Sequence, residues 1–448
     1  TNSDLDRRFI RIQEIAYLGD LYGMLHAIDT SNGEELWAYI PSNLLDKLQN
    51  DRTDPNAVND FAAVDASPTV RDIFFDPDYD PDAAPPVAEN PSWRTILVCP
   101  QGFGGTSVFA LDVTNPAPDG WKVLWEATDL LAPGGGMGSA FRASLGKVEV
   151  PVLDTSNNPI PGQYEVKWMV YVATSFAHIA EDQGGIHVYA IDLKTGEIKW
   201  TFSSKYTDSV NDIPGAVTTY DIDRDSFADR VYVGDMNGRM WELNADGLTN
   251  PHGTSDDEGH QIPLFNAGAG NPISVSPAIT RRNGQVVLVF GTGGTNWATV
   301  ADDKLYYIYA VSATAADNLF QVQKNENYKS FGGAIEATWS LPLEPGEKAW
   351  SSPTVSAGTI FFAIAGGTLE SGNPRSDVSG GGRLISLDLD KKAIWKTPIA
   401  IGKVRGSLFV SRRHVYLTTI DNTIIQVGGD NWPTGFGDRV VLKAWRQY

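Results

Sequence analysis

"GIHVYAIDLKTGEIKWTF", residues 185–202, reads as two short strands around a tight turn. Val, Tyr, Ile and Trp favour a pleated, half-buried surface, and "DLKTGE" breaks them with the Asp and Gly that cap and reverse a turn. Four other stretches repeat the pattern in degenerate form: "YLGDLYGMLHAIDTSNGEELWAYIP" (17–41), "TSVFALDVTNPAPDGWKVLWEA" (106–127), "RVYVGDMNGRMWELNADG" (230–247) and "GGRLISLDLDKKAIWKTPI" (381–399). Each is read as strand, turn, strand, with a tryptophan at the end. Trp37, Trp125, Trp200, Trp241 and Trp395 lie 88, 75, 41 and 154 residues apart, and Trp339 in "ATWSLPL" divides the last gap into 98 and 56. One interval matches the roughly 40–45 residues of a propeller blade, and the others allow a blade plus insertions. Repeating similar hairpins radially gives them a shared core and protected edges. The expected fold is therefore all-β, a modified and irregular β-propeller formed as a single domain over 1–448; a β-sandwich with a few similar hairpins is the alternative.

Composition narrows the function. The chain has 448 residues, 42% of them hydrophobic, enough for a large core. Asp and Glu outnumber Lys and Arg by 55 to 35, a net charge of -20 that repels nucleic acid and anionic lipid. No nucleic-acid partner and no membrane insertion by this segment are expected. Cys99 is the single cysteine, so neither an intrachain disulfide nor a cysteine zinc cluster can form. The N-terminal "TNSDLDRRFIRIQ" lacks the apolar run of a signal peptide, which fits a cytosolic protein, a mature secreted chain or an excised fragment. Stretches of low hydrophobicity at 71–92, 248–272 and 367–382 read as surface insertions.

One stretch carries chemistry. "YDIDRDSFADRVYVGDMNG" (220–238) sets Asp221, Asp223, Asp225 and Asp229 within nine positions. Carboxylates at positions 1, 3, 5 and 9, with a main-chain carbonyl at 7, match most of an EF-hand-type calcium loop; the carbonyl here is that of Phe227. Calcium resolves the mutual repulsion of the carboxylates, which Arg224 and Arg230 offset only in part. Two positions depart from the pattern: Ser226 stands where glycine makes the sharp turn, and Tyr232 where a bidentate Glu closes the shell. The expected cofactor is Ca2+, held by Asp221, Asp223, Asp225, Phe227 and Asp229, with water or a distant carboxylate completing the shell. "DPDYDPD" (76–82) also alternates aspartates, but its prolines stiffen it into an extended shape. "DASPT" (65–69) has part of a DxSxS metal motif without the α/β context that motif needs. The six histidines show no HExxH, and there is no GxSxG elbow or P-loop. No catalytic residues are assigned, and the chain is not expected to be an enzyme.

Two families enter by resemblance. "AIDLKTGEIKW" (190–200) resembles the AxDxxTGxxxW tryptophan-docking repeat of quinoprotein dehydrogenases, and "AIDTSNGEELW" (27–37) is a close variant. That likeness implies a propeller enzyme carrying pyrroloquinoline quinone. The adjacent paired cysteines that many such enzymes place against the quinone have no counterpart in a chain with Cys99 alone. A wider likeness runs in register from about residue 13 to 310, through "AAVDASPTV", "WRTILVCPQGFGGTSVFALDVTNP", "YDIDRDSFADRVYVGDMNGRMWEL" and "PISVSPAITRRNGQVVLVFGTGG". It resembles the C-terminal domain of the PilY-type type IV pilus biogenesis factors and tip adhesins. The resemblance implies a modified seven-bladed propeller on the cell surface, at the pilus tip or the outer membrane, exported via the periplasm. It implies minor pilins of the tip complex and a host or abiotic surface ligand as partners, with roles in attachment and in pilus extension against retraction. It also places a calcium loop on Asp221, Asp223, Asp225 and Asp229. A periplasmic propeller scaffold without metal is the third reading.

Overall fold

A computed structural model describes residues 14–45, 64–78, 90–102, 107–127, 142–156, 158–173, 187–203, 216–247, 262–282, 284–293, 304–313, 339–349, 351–356, 358–366, 382–389, 399–401, 408–411, 414–418 and 424–428. Among these residues the strands fall into seven antiparallel sheets, the blades of a seven-bladed β-propeller. The chain divides into two compact units, 1–203 and 204–448.

The first unit holds three blades. Strands β1 (Ile15–Gly19), β2 (Leu25–Asp29) and β3 (Glu35–Tyr39) form the first. Strands β4 (Thr69–Phe75), β5 (Ser92–Pro100), β6 (Val108–Asp112) and β7 (Lys122–Ala127) form the second. The third comprises β8 (Ala143–Leu153), β9 (Pro159–Ala173), β10 (His187–Asp192) and β11 (Ile198–Ser203). The second unit holds four. Its first blade is β12 (Thr218–Tyr220), β13 (Arg230–Gly234), β14 (Arg239–Asn244) and β15 (Phe265–Asn266); the next is β16 (Ala278–Arg282), β17 (Gln285–Gly291), β18 (Tyr307–Ala313) and β19 (Trp339–Pro342). In the sixth, β20 (Glu347–Ala349) and β21 (Thr354–Ser356) both pair with β22 (Thr359–Gly366), followed by β23 (Gly382–Leu387) and β24 (Ile399–Ile401). The seventh is β25 (Phe409–Ser411), β26 (His414–Thr418) and β27 (Ile424–Gly428).

The middle strands are covered on both faces, which explains their unbroken apolar runs. In β5, Ile96 and Val98 pack with the third blade, while Leu97 and Cys99 pack with the first. In β17, Leu288 and Phe290 face the fourth blade, and Val287 and Val289 the sixth. In β22, Phe362 and Ile364 face the fifth blade, and Phe361 and Ala363 the seventh. Period-two alternation thus makes one strand serve two cores. Burial also pushes the Cys99 thiol well above its ordinary range, which leaves it a packed apolar group.

The tryptophan repeat is a latch between consecutive blades. Trp37 Nε1 donates to the Pro116 carbonyl at 3.1 Å, Trp125 to Leu193 at 2.6 Å and Trp339 to Leu389 at 2.7 Å. Each indole leaves the last strand of its blade and lands on the turn after an aspartate of the next, Asp112 and Asp192 being buried and Asp388 half-buried. That aspartate holds the turn open for it: Asp192 Oδ1 accepts the amides of Lys194 and Thr195. Gly196 follows at φ +75°, and a Cβ there would lie 2.8 Å from the Trp125 ring. Trp395 lies outside the described residues. A second stitch joins neighbouring blades in or just before their early strands. Thr69 Oγ1 donates to Ala143 O at 2.7 Å, Ser276 Oγ to Ala216 O at 2.7 Å and Thr354 Oγ1 to Leu408 O at 3.0 Å. "DASPT" is one of these stitches.

Two readings change. Trp241 lies in the second strand of its hairpin but is not one of the latches: β14 is not the last strand of its blade, and the fully buried indole donates to Asp235 Oδ2 of that same blade at 2.9 Å. "YVGDMNGRMW" aligns with "YLGDLYGMLH", not with the docking turn, so Trp241 corresponds to His26. The stretch 71–92 does not begin as an insertion either. Residues 71–75 belong to β4, which pairs in unbroken register with β5 from Thr69↔Val98 to Phe75↔Ser92. Alternation in "TVRDIFF" carried the strand signal, and the acidic residues after it masked the boundary. The other two stretches also touch strands: Phe265–Asn266 within 248–272 form β15, paired with β14, and Gly382 opens β23, while 248–261 and 367–381 lie outside the described residues.

Replacing Gly196 with alanine combines an unfavourable positive φ with a clash, and is expected to cost about 2–4 kcal/mol. Gly33, at φ +77° with nothing within 4 Å of where a methyl would stand, is the matched control, and Gly33→Ala is expected to cost about 1–2 kcal/mol. Urea unfolding of both variants measures the difference, which is the contribution of the docked ring.

Candidate metal centre

The aspartate ladder is the connection between β12 and β13. Tyr220 ends one strand, Arg230 begins the other, and the two are cross-strand partners. The Asp229 amide donates to the Tyr220 carbonyl at 3.0 Å, and Asp229 O accepts from Ala245 at 2.9 Å. Eight residues between fixed ends must therefore turn tightly, and their side chains organise the turn. Asp221 Oδ1 accepts from the Arg224 amide at 2.5 Å and Oδ2 from the Ser226 amide at 2.9 Å. Asp223 Oδ1 accepts from Asp225 N at 3.1 Å, and Asp225 Oδ1 from Phe227 N at 2.8 Å.

This winding brings Asp221, Asp223 and Asp225 together, each offering one carboxylate oxygen, all within 4.8 Å of one another. Asp223 and Asp225 are exposed and Asp221 is half-buried. Asp229 is not part of the triplet. Its Oδ2 accepts from the Ile222 amide at 2.5 Å, and burial, aided by the nearby Asp223 charge, raises its pKa above the usual carboxylate range.

Ser226 adopts φ +81° and Arg224 φ +71°, the two non-glycine residues with positive φ among those described. Ser226 thus takes the conformation that glycine supplies at the sixth position, at a cost of about 1–2 kcal/mol. The strain at Arg224 had no signal in the sequence. Tyr232, at the twelfth position, is no ligand: it is fully buried, and its hydroxyl donates to Glu242 Oε1 at 2.7 Å. Arg230 stands at the end of the ladder, with Nη1 on the Asp229 carbonyl at 3.1 Å and Nε 3.5 Å from Glu242, and its charge partly offsets the rise in the Asp229 pKa. At 76–82, Asp76 binds the amides of Asp78 and Asn90; the other aspartates of that motif lie outside the described residues.

Ser226→Gly removes the strain but adds chain entropy to the unfolded state. The net expectation is a gain of about 0.5–1 kcal/mol in chelator-treated protein, read from the urea midpoint.

Residues 7–314, more than half of the chain, match the family model described as the PilY1 beta-propeller domain. A type IV pilus biogenesis factor PilY1 homolog of Xylella fastidiosa is 30% identical over 284 residues, which cover 62% of this chain and 19% of the relative. The type IV pilus biogenesis factor PilY1 of Pseudomonas aeruginosa UCBPP-PA14 is 29% identical over 322 residues, covering 65% of this chain and 24% of the relative. The chain therefore spans about a fifth to a quarter of these curated relatives. The crystal structure of the Pseudomonas aeruginosa PilY1 C-terminal domain superposes with a TM-score of 0.60 at 17% identity, covering 93% of each chain. With seven sheets in hand and the match running through the aspartate ladder, this chain belongs to the PilY1 beta-propeller domain family.

Proposed function

We propose that the chain is a non-enzymatic propeller domain of a type IV pilus biogenesis factor, and that calcium binding at 221–229 controls its working form. The observation that carries the metal is the convergence of Asp221, Asp223 and Asp225 on a loop whose Ser226 has accepted a glycine-like φ. Hard carboxylate oxygens suit calcium. Three carboxylate oxygens within 4.8 Å of one another can share one ion at calcium's bond lengths of about 2.3–2.6 Å. Calcium is preferred to magnesium in this reading because it accepts many oxygen ligands in flexible geometry, whereas magnesium demands a near-ideal octahedron and keeps most of its waters. Asp229 and the Phe227 carbonyl are the remaining protein ligands in this reading.

An ion there neutralises the ladder and fixes the β12–β13 connection to the hairpin of β13 and β14. Binding to the folded form alone adds about 2.7 kcal/mol at a hundredfold excess over Kd. The names of the relatives support a role in pilus biogenesis. In this reading the domain works at the cell surface or pilus tip, with minor pilins and a surface ligand as partners. Metal loading then biases pilus extension against retraction and surface attachment.

Calorimetry of chelator-stripped protein tests the metal. One calcium site is expected, weaker for magnesium and lost in Asp223→Ala, with the melting temperature rising on calcium addition. Absence of heat together with a melting temperature indifferent to calcium would remove the metal from the proposal.

A further inference from the structure

The turn joining β1 and β2 and the turn joining β13 and β14 are built alike. In the fourth blade, Asp235 Oδ1 accepts the amides of Asn237 and Arg239, both at 2.9 Å, and Oδ2 takes the Trp241 indole N–H. In the first blade, Asp20 Oδ1 accepts the amides of Tyr22 at 2.9 Å and Met24 at 2.8 Å. At the position of Trp241 stands His26, whose Nε2 lies 3.2 Å from Asp20 Oδ2. The packing beneath the two turns also corresponds: Val64 N donates to Asp20 O, and Ile273 N to Asp235 O, each at 2.9 Å. The same architecture carries a donor that cannot titrate in one blade and one that can in the other.

His26 has a second acidic partner. Its Nδ1 lies 2.6 Å from Glu35 Oε2, on β3. Both ring nitrogens therefore face carboxylate oxygens, which only accept while ionised. Only the doubly protonated imidazolium donates to both; the neutral ring turns one contact into a lone pair facing an anion. Among the described residues, Asp20 from the turn and Glu35 from β3 are the charged groups facing the ring. Its cross-strand neighbours, Leu18 on β1 and Ala38 on β3, are apolar.

We propose that Asp20, His26 and Glu35 form a proton-operated clamp that ties the β1–β2 turn to β3 and sets the order of the exposed Leu21–Tyr22 tip. The tip is where the clamp is read, since Leu21 is 63% and Tyr22 74% exposed. Burial alone would lower the ring's pKa, but hydrogen bonds and charge from Glu35 and Asp20 outweigh it, and the net direction is upward from 6.5. A raised folded-state pKa means the clamp is fully present below about 6.5 and is lost as pH rises through the higher folded value. This device is independent of the calcium reading and operates in a different blade.

Ring-nitrogen NMR of the ¹⁵N-histidine-labelled chain tests it, with His26 assigned by the peak missing in His26→Gln. The expected result is an imidazolium titrating above 6.5, moved down by about half a unit or more in Glu35→Gln. Glu35 is half-exposed, so that variant is expected to fold normally. Hydrogen exchange, corrected for intrinsic pH dependence, is expected to show residues 20–24 losing protection as pH crosses the midpoint, while 235–239 stay unchanged. A midpoint at or below 6.5, or protection of 20–24 that ignores the midpoint, overturns the clamp.

Discussion

The fold depends on an indole N–H that has to find a carbonyl outside its own sheet. A four-stranded antiparallel sheet satisfies its backbone internally, yet its broad apolar faces need neighbours. The tryptophans of β3, β7 and β19 provide a large ring and a single directional donor. Leaving such a carbonyl buried and unpaired costs about 1–3 kcal/mol, so the contact fixes both that two blades touch and in which register. Asp112 and Asp192, which bind the amides that follow them, and Gly196 beneath the Trp125 ring serve the same end, holding a flat landing place open.

Legibility followed the range of the interaction. The docking turn "AIDLKTGEIKW" was readable because aspartate, glycine and tryptophan act within eleven residues, and the indole needs only the next copy of the same turn. The aspartate ladder was readable for the same reason: alternation over nine positions is local. Trp241 was misplaced because two turn types share a glycine and a following tryptophan, and only pairing shows that Asp235 belongs to the kind seen at Asp20. The Arg224 φ was not legible, since it follows from ends of the loop fixed by Tyr220 and Arg230. Nor was the engagement of Arg230 with Glu242, a residue brought alongside by β14.

The ladder and the histidine bridge show one sheet architecture carrying two kinds of electrostatic conflict. At 221–229, like charges crowd on a connection whose backbone is already strained. At His26 the opposite charge is present, but its supply depends on a proton. Both lie where a strand pair turns, where side chains meet water on one side and a fixed ladder on the other.

The latches also have a direction. Trp37 reaches forward 79 residues, Trp125 68 and Trp339 50. A chain emerging amino end first leaves each of these indoles unmet until a further half-hundred residues or more have followed. Every latched blade is thus completed by a turn of the blade that follows it in the sequence, so none of these three contacts can form within a single blade.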